Sequence, residues 1–315
     1  RPGFAVMDLW LPPPSLLLLT LQFANAAAYC TGKLPWDSAG LHSVNIIVDG
    51  LQRKFEVHLP RVTADYPSQP LPVVLLCPGT GDDTTLFFKW AGVREFAEKA
   101  HFHIIGLAGI NNLLNVDLDL HSTPGRTSDV SYTKAALAWA TENMCIDKER
   151  IFCTGMSRGG RFCSMLASEL GVLAAIGAVS SIRFPNPNRA PRPISIIAIH
   201  GSGDKVNPYK GGGPPYWGPD SVPVAATKWA IYNECKQRKD SNLNAGVVVT
   251  KYSHCLSNTE VVLYTVLGAQ HAIAYTNQTF GPWSKWLDVM QTTWQFFSEH
   301  SLFHTPTAEW QQILQ

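Results

Sequence analysis

The sequence predicts an α/β chain built on a mostly parallel, doubly wound sheet with an antiparallel hairpin at its N-terminal edge. Three observations predict it. Short apolar runs alternate with helical segments along most of the chain, the order that pairs parallel strands through crossover helices. Val44-Asn45-Ile46-Ile47-Val48 and the run Gln52 to Leu59 flank Asp49-Gly50, a favoured two-residue hairpin turn. One apolar run, Ile151-Phe152-Cys153-Thr154, leads through Gly155-Met156-Ser157-Arg158-Gly159 straight into a helical segment.

The elements follow in order. The second hairpin strand alternates apolar and polar residues, which suits the antiparallel edge of a mixed sheet. Pro72 to Cys77 is a continuous apolar run, hence a strand buried on both faces. Phe88 to Ala100 reads as a helix and Phe102 to Leu107 as the next strand. Ser128-Asp129 caps a helix that runs through Met144. After the Gly-rich turn, Arg161 to Leu170 is helical, and Ala174 to Val179, Ile194 to Ile199 and Val261 to Val266 are strands. A helix ends at Cys235 and a strand precedes Cys255. No domain boundary shows within residues 29–315, which read as a single domain.

The chain has 315 residues, 45% of them hydrophobic, enough for one large domain with a well-buried core. A net charge of +1 and the lack of any basic run give no case for nucleic acid. No stretch after residue 30 approaches the apolar length of a transmembrane helix, so stable membrane insertion is not expected. Residues 1–28 differ in kind. The apolar core Leu16 to Leu21 precedes small residues, Ala24 to Ala28, with Ala-x-Ala cleavage choices. That pattern reads as a secretory signal peptide and implies a secreted, extracellular product beginning near Ala27 or Tyr29. Asp8 and the lack of lysine before the core depart from it; the other readings are a membrane anchor, too short and interrupted by Pro12-Pro13-Pro14, and a buried helix of the fold. Seven cysteines is an odd number, so at least one is unpaired or bonds another chain. Cys77 and Cys153, inside buried strands, read as small apolar residues; Cys30, Cys145 and Cys163 are among the candidates for a bridge. Asn277-Gln278-Thr279 is a glycosylation sequon.

The chemistry centres on Ser157. Strand, tight turn and helix make Gly-x-Ser-x-Gly a nucleophile elbow: the turn lifts the serine hydroxyl clear of the sheet edge. Side chains at Gly155 or Gly159 would clash with the adjoining strand or helix. The backbone N–H of Arg158 points to where an oxyanion forms. A serine nucleophile needs a base, and the base an orienting carboxylate. Asp204 follows the strand Ile194 to Ile199, in His200-Gly201-Ser202-Gly203-Asp204; His271 follows Val261 to Val266, in Leu267-Gly268-Ala269-Gln270-His271. Each could alone be an ordinary loop residue. Together with Ser157 they stand in the order Ser, Asp, His, at one sheet edge. His200 reads as structural, at a strand end before a glycine.

These residues carry a resemblance. Thr154 to Gly160, then His200-Gly201-Ser202-Gly203-Asp204 with Pro208-Tyr209, then Gly268-Ala269-Gln270-His271 resemble the feruloyl esterase and polyhydroxybutyrate depolymerase group of α/β-hydrolases. The likeness runs from about Asn45 to about His300. It implies an α/β-hydrolase fold and a serine carboxylic ester hydrolase with the triad Ser157, Asp204 and His271 and no metal or organic cofactor. The implied substrate is a feruloyl or acetyl ester of polysaccharide, with a hydroxyalkanoate polyester as the alternative and a peptide less favoured. A different class, a catalytically silent binding protein on the same fold, would need the pocket but not the triad. The group usually has Asn where Arg158 stands, and only the backbone N–H of that residue is needed. It usually has His-Gly where this chain has Pro78-Gly79, so the second oxyanion N–H is that of Thr80. The resemblance also implies a Cys235–Cys255 disulfide. The loop from Tyr209 to Pro223, with Tyr216 and Trp217, follows Asp204 and is either a wall of the substrate pocket or a surface loop with its aromatics packed down.

Overall fold

The computed structural model describes residues 34–85, 92–116, 128–213, 219–271 and 286–302. The leader reading, Cys30, Tyr216, Trp217 and Asn277 lie outside them. One sheet holds the strands β1 (Gly40–Val48), β2 (Leu51–Leu59), β3 (Leu71–Cys77), β4 (His103–Leu107), β5 (Ile146–Met156), β6 (Ala175–Val179), β7 (Ser195–Gly201), β8 (Gln237–Asn244), β9 (Val247–Ser253) and β10 (Val261–Val266). Their order is β1-β2-β4-β3-β5-β6-β7-β10-β9-β8. The six from β4 to β10 run parallel, and an antiparallel hairpin closes each edge. In the β1–β2 turn Asp49 and Gly50 both have positive φ, 51° and 78°, the twist that a two-residue hairpin needs.

Among the described residues the α-helices are α1 (Arg61–Asp65), α2 (Val93–Ala100), α3 (Asp129–Asn143), α4 (Arg158–Glu169), α5 (Val222–Tyr232) and α6 (Val289–Ser298). The central strands read as unbroken apolar runs because both faces are covered. Val73, Leu75 and Cys77 of β3 pack with α3, α4 and α5 residues such as Tyr132, Phe162 and Trp229. Val74 and Leu76 point the other way, to Val93 of α2 and Phe297 of α6. Strand order reverses between β3 and β5: the chain goes from β3 outward to β4, then returns to lay β5 on β3's other side. Such a switch point opens a crevice at the carboxyl ends of the strands.

The cysteines depart in one respect from expectation. Cys153 is bonded to Cys163, with Cα atoms 5.6 Å apart, and so ties β5 to α4 rather than acting as a small apolar residue. A strand residue facing inward and a helix residue on the same side of the sheet fall within bridging distance, which composition alone does not reveal. Cys145 is also disulfide-bonded. Cys77 is the free thiol among the described cysteines, buried, its Sγ 3.7 Å from that of Cys153. The Cys235–Cys255 bridge is present and links the end of α5 to the end of β9. Closing a 20-residue separation, it contributes about 3 kcal/mol by chain-entropy reckoning.

Asp129 does more than begin a helix. Ser128 is the cap of α3, its hydroxyl accepting from the Ser131 N–H. The Asp129 carboxylate is buried and paired with Arg53 of β2 at 2.5 Å, and its other oxygen accepts the Asn115 N–H at 2.6 Å. The Arg53 guanidinium lies over the Tyr132 ring.

Acid sensitivity follows from His103 on β4. It is fully buried, and burial, with the nearby His58 charge, outweighs its contact with the Cys145 carbonyl to bring its pKa down to about 4. The folded form therefore favours the neutral ring. Its contribution is complete above the unfolded pKa of about 6.5 and is lost as pH falls from there through 4, on the order of 3 kcal/mol. In His103→Leu the melting temperature falls less steeply between pH 7 and pH 4 than in the parent. Parallel slopes for the two proteins would contradict the assignment.

Candidate active site

The elbow takes its shape from its glycines. Ser157 sits at φ 56°, ψ −120°, a strained backbone for a non-glycine residue, as the residue that opens α4. A Cβ at Gly155 or Gly159 would overlap the Cys77 carbonyl at the end of β3, so the turn can lie this close to its neighbour only without side chains there. The Ser157 N–H donates to Val179 O at 3.0 Å, tying the turn to the end of β6. The next residue, Ser180, donates its hydroxyl to the His271 carbonyl at 3.0 Å. Ser157 and His271 are thus anchored to adjacent residues of one strand end, though no hydrogen bond between their side chains is formed. Such contacts often close only around substrate.

Asp204 and His271 meet directly. His271 Nδ1 is 2.8 Å from Asp204 Oδ2, which leaves Nε2 for proton transfer. The other carboxylate oxygen, Oδ1, accepts the N–H groups of Val206 and Asn207 at 2.8 and 2.9 Å. Burial alone would raise the Asp204 pKa, but hydrogen bonds from His200, His271 and the Asn207 backbone hold it well below the usual carboxylate range. Asp204 is an anion at every pH of interest. The loops carrying these two residues are pressed together: the Gly203 N–H donates to Ala269 O at 2.9 Å, and a side chain at Gly203 would meet the Gly268 carbonyl.

Thr80 and Arg158, the two residues expected to offer oxyanion N–H groups, are also brought together. Cys77 and Gly155 are register partners on β3 and β5, and Thr80 and Arg158 each follow by three residues. Arg158 Nε donates to Thr80 Oγ1 at 3.3 Å, and its Nη1 to the Leu114 carbonyl at 2.7 Å. The guanidinium therefore braces the Thr80 loop, a role beyond the backbone one read from sequence. The Gly81 N–H, which donates to Asn112 O at 3.0 Å, holds the same loop from the other side. Segment 109–114, with Ile110 and Leu113 exposed, thus flanks the site, which sequence reading missed. Its Asn111-Asn112 pair, both at positive φ, was the signal available. Arg158→Asn is expected to lower kcat on a small ester about tenfold by loosening that loop. Unchanged kcat would show that the loop stands without the brace.

Of the three residues proposed as pocket wall, Tyr209 alone is described. Its hydroxyl is 2.7 Å from Thr265 Oγ1 and its ring stands edge-on to His200, so it packs inward against the acid loop.

No family model matches the chain. In sequence it is 26% identical over 175 residues to NocK, an esterase by name, of Nocardia uniformis subsp. tsuyamanensis, a match over 53% of this chain and 49% of that one. It is 26% identical over 155 residues to feruloyl esterase B of Piromyces equi, over 46% of this chain and 29% of the other. The chain thus spans about half, or less, of the length of these relatives. In structure it resembles an acetyl xylan esterase from Aspergillus awamori, with TM-score 0.59 and 13% identity, over 82% of this chain and 99% of the other. It also resembles Thermogutta terrifontis esterase 2, with TM-score 0.55 and 14% identity, over 82% and 94%. The strand order, the elbow at its switch point and these likenesses together identify the fold as that of the α/β-hydrolases, and the sequence likeness is to esterases of the feruloyl type.

Proposed function

We propose that this chain is a serine carboxylic ester hydrolase acting on feruloyl or acetyl esters of polysaccharide. The observation that carries the reading is the strained Ser157 elbow tied, through Val179-Ser180, to the His271 loop, with His271 bonded to a buried Asp204 anion. Ser157 attacks the ester carbonyl and His271 Nε2 takes its proton. The N–H groups of Thr80 and Arg158 receive the oxyanion. His271 then protonates the leaving alcohol, and water, activated by the same ring, releases the acid. Asp204 holds the ring in the tautomer with hydrogen on Nδ1 and stabilises the imidazolium. The names of the relatives support an ester substrate. The exposed Ile110 and Leu113 beside the oxyanion loop offer an apolar surface to the acyl group.

Secretion belongs to the same proposal, supported by the disulfides at Cys153–Cys163 and Cys235–Cys255, which persist in oxidising compartments. Among the described residues no helix is long and apolar enough to cross a membrane. A fluorophosphonate probe should label Ser157, since only an activated serine reacts. One purified preparation assayed on methyl ferulate, acetylated xylan, p-nitrophenyl acetate and polyhydroxybutyrate then decides the substrate. Turnover of polyhydroxybutyrate alone would overturn the polysaccharide assignment, and an unlabelled Ser157 would overturn the enzymatic one.

A further inference from the structure

Behind Asp204 lies a second histidine that the mechanism above does not use. His200, the penultimate residue of β7, is 1% exposed. Its Nε2 donates to Asn207 O at 3.0 Å and stands 3.2 Å from Asp204 Oδ2. That is the same oxygen that His271 Nδ1 approaches from the front. His200 Nδ1 is buried with no hydrogen-bond partner, so the ring carries its hydrogen on Nε2, the only nitrogen with acceptors before it. The tautomer is thereby fixed, and with it the direction of the donor.

We propose that His200 is a positioning residue for His271, acting through the shared Oδ2 of Asp204; the inference rests on the triad reading above. Three things argue that the contact is built rather than incidental. Asn207, which accepts from His200 through its carbonyl, donates its own N–H to Asp204 Oδ1 and its side-chain amide to Ser180 O. Arg161 of α4 fixes the Asn207 side chain from below, Nη1 to Oδ1 at 3.0 Å. Ser180 in turn holds the His271 backbone. His200 thus belongs to a closed ring of contacts that begins and ends at His271. The other ionisable groups facing it are Tyr209, edge-on at 5.9 Å, and Asp220, which lines the same small polar cavity as Arg161 and His200. A carboxylate oxygen that serves two donors divides its charge between them. Removing the rear donor leaves more of that charge for His271 and lets the carboxylate swing.

Two substitutions separate the donor from the space it fills. The amide nitrogen of Gln reaches the place of Nε2, whereas that of Asn reaches only the place of Nδ1. With p-nitrophenyl acetate, His200→Asn is expected to lower kcat about tenfold with KM within about twofold. It should also move the acid limb of kcat/KM upward by roughly half to one pH unit, because the His271 imidazolium gains the undivided Asp204 charge. His200→Gln should keep the parent's limb and most of its rate. Independently of substrate, the downfield proton resonance of His271 Nδ1–H should shift in His200→Asn and stay in His200→Gln. A rate loss in His200→Asn with the acid limb and the resonance both unmoved would assign His200 to packing alone and overturn the proposal, as would full activity in that variant. A parent that fluorophosphonate does not label would instead overturn the esterase reading, while the resonance shift would still report the His200–Asp204–His271 contact.

Discussion

Ser157→Ala and His271→Ala are each expected to lower kcat on a small ester by on the order of 10⁴ to 10⁶, with Asp204→Ala milder. The ranking follows from the geometry. In the proposed mechanism Ser157 supplies the atom that bonds to carbon. In the same mechanism His271 supplies the imidazole nitrogen, since His200 is buried behind Asp204 with its Nε2 committed to two acceptors. On that mechanism Asp204 takes no part in bond making, and its loss would cost the tautomer and the imidazolium's counter-charge. The double variant Ser157→Ala/His271→Ala should be no worse than the poorer single variant, because the two act as a unit. A His271→Ala protein with near-parental activity would place the base elsewhere.

Gly159→Ala is expected to destabilise the fold by about 3 kcal/mol, the upper end of what overpacking typically costs. The added methyl would overlap the Cys77 carbonyl, which is backbone rather than a side chain that could rotate away. That carbonyl ends β3, which is hydrogen-bonded to β4 on one side and β5 on the other, so it cannot retreat. The next position shows a second conflict: a Cβ at Gly160 would meet Ser181 Oγ and the Gly155 carbonyl. Met156→Ala, three residues before Gly159 and half-buried, is the control and should cost far less. Equal denaturation midpoints for Gly159→Ala and the parent, under non-reducing conditions, would show that the elbow can open without loss.

Much of this was legible in the sequence, for identifiable reasons. The strands of the parallel centre announce themselves because both faces are buried, and the elbow because its glycines are sterically obligatory. The Asp49-Gly50 turn fixes the β1–β2 register without tertiary information. What escaped reading is what lacks an apolar signal. β8, Gln-Arg-Lys-Asp-Ser-Asn-Leu-Asn, is an edge strand exposed along nearly its whole length, so nothing in its composition marks it as sheet; its partner β9 does. The Cys153–Cys163 bond escaped because a buried cysteine looks the same in sequence whether its partner is aliphatic or another sulfur. His200 and Arg158 were read as structural and as a backbone donor. Their side-chain roles depend on Asp204 Oδ2 and Thr80 Oγ1, partners distant or unremarkable in sequence. The His271–Asp204 contact itself was readable only as an ordering of loops.

The bonding path from Arg53 through Asp129 and the 108–116 segment to Arg158 and Thr80, and then the bond from His271 to Asp204, spans most of the chain. During synthesis Arg53 emerges early and His271 much later. Loops of that length close slowly, and a chain dominated by such pairings folds late rather than piecewise. On the proposed mechanism an active elbow is therefore expected late: Ser157 would become reactive only once β2 has been captured by α3 and β10 has been laid beside β7. Reactivity at Ser157 would serve as a clock for completed assembly, recording the last step where spectroscopic helix content records the first.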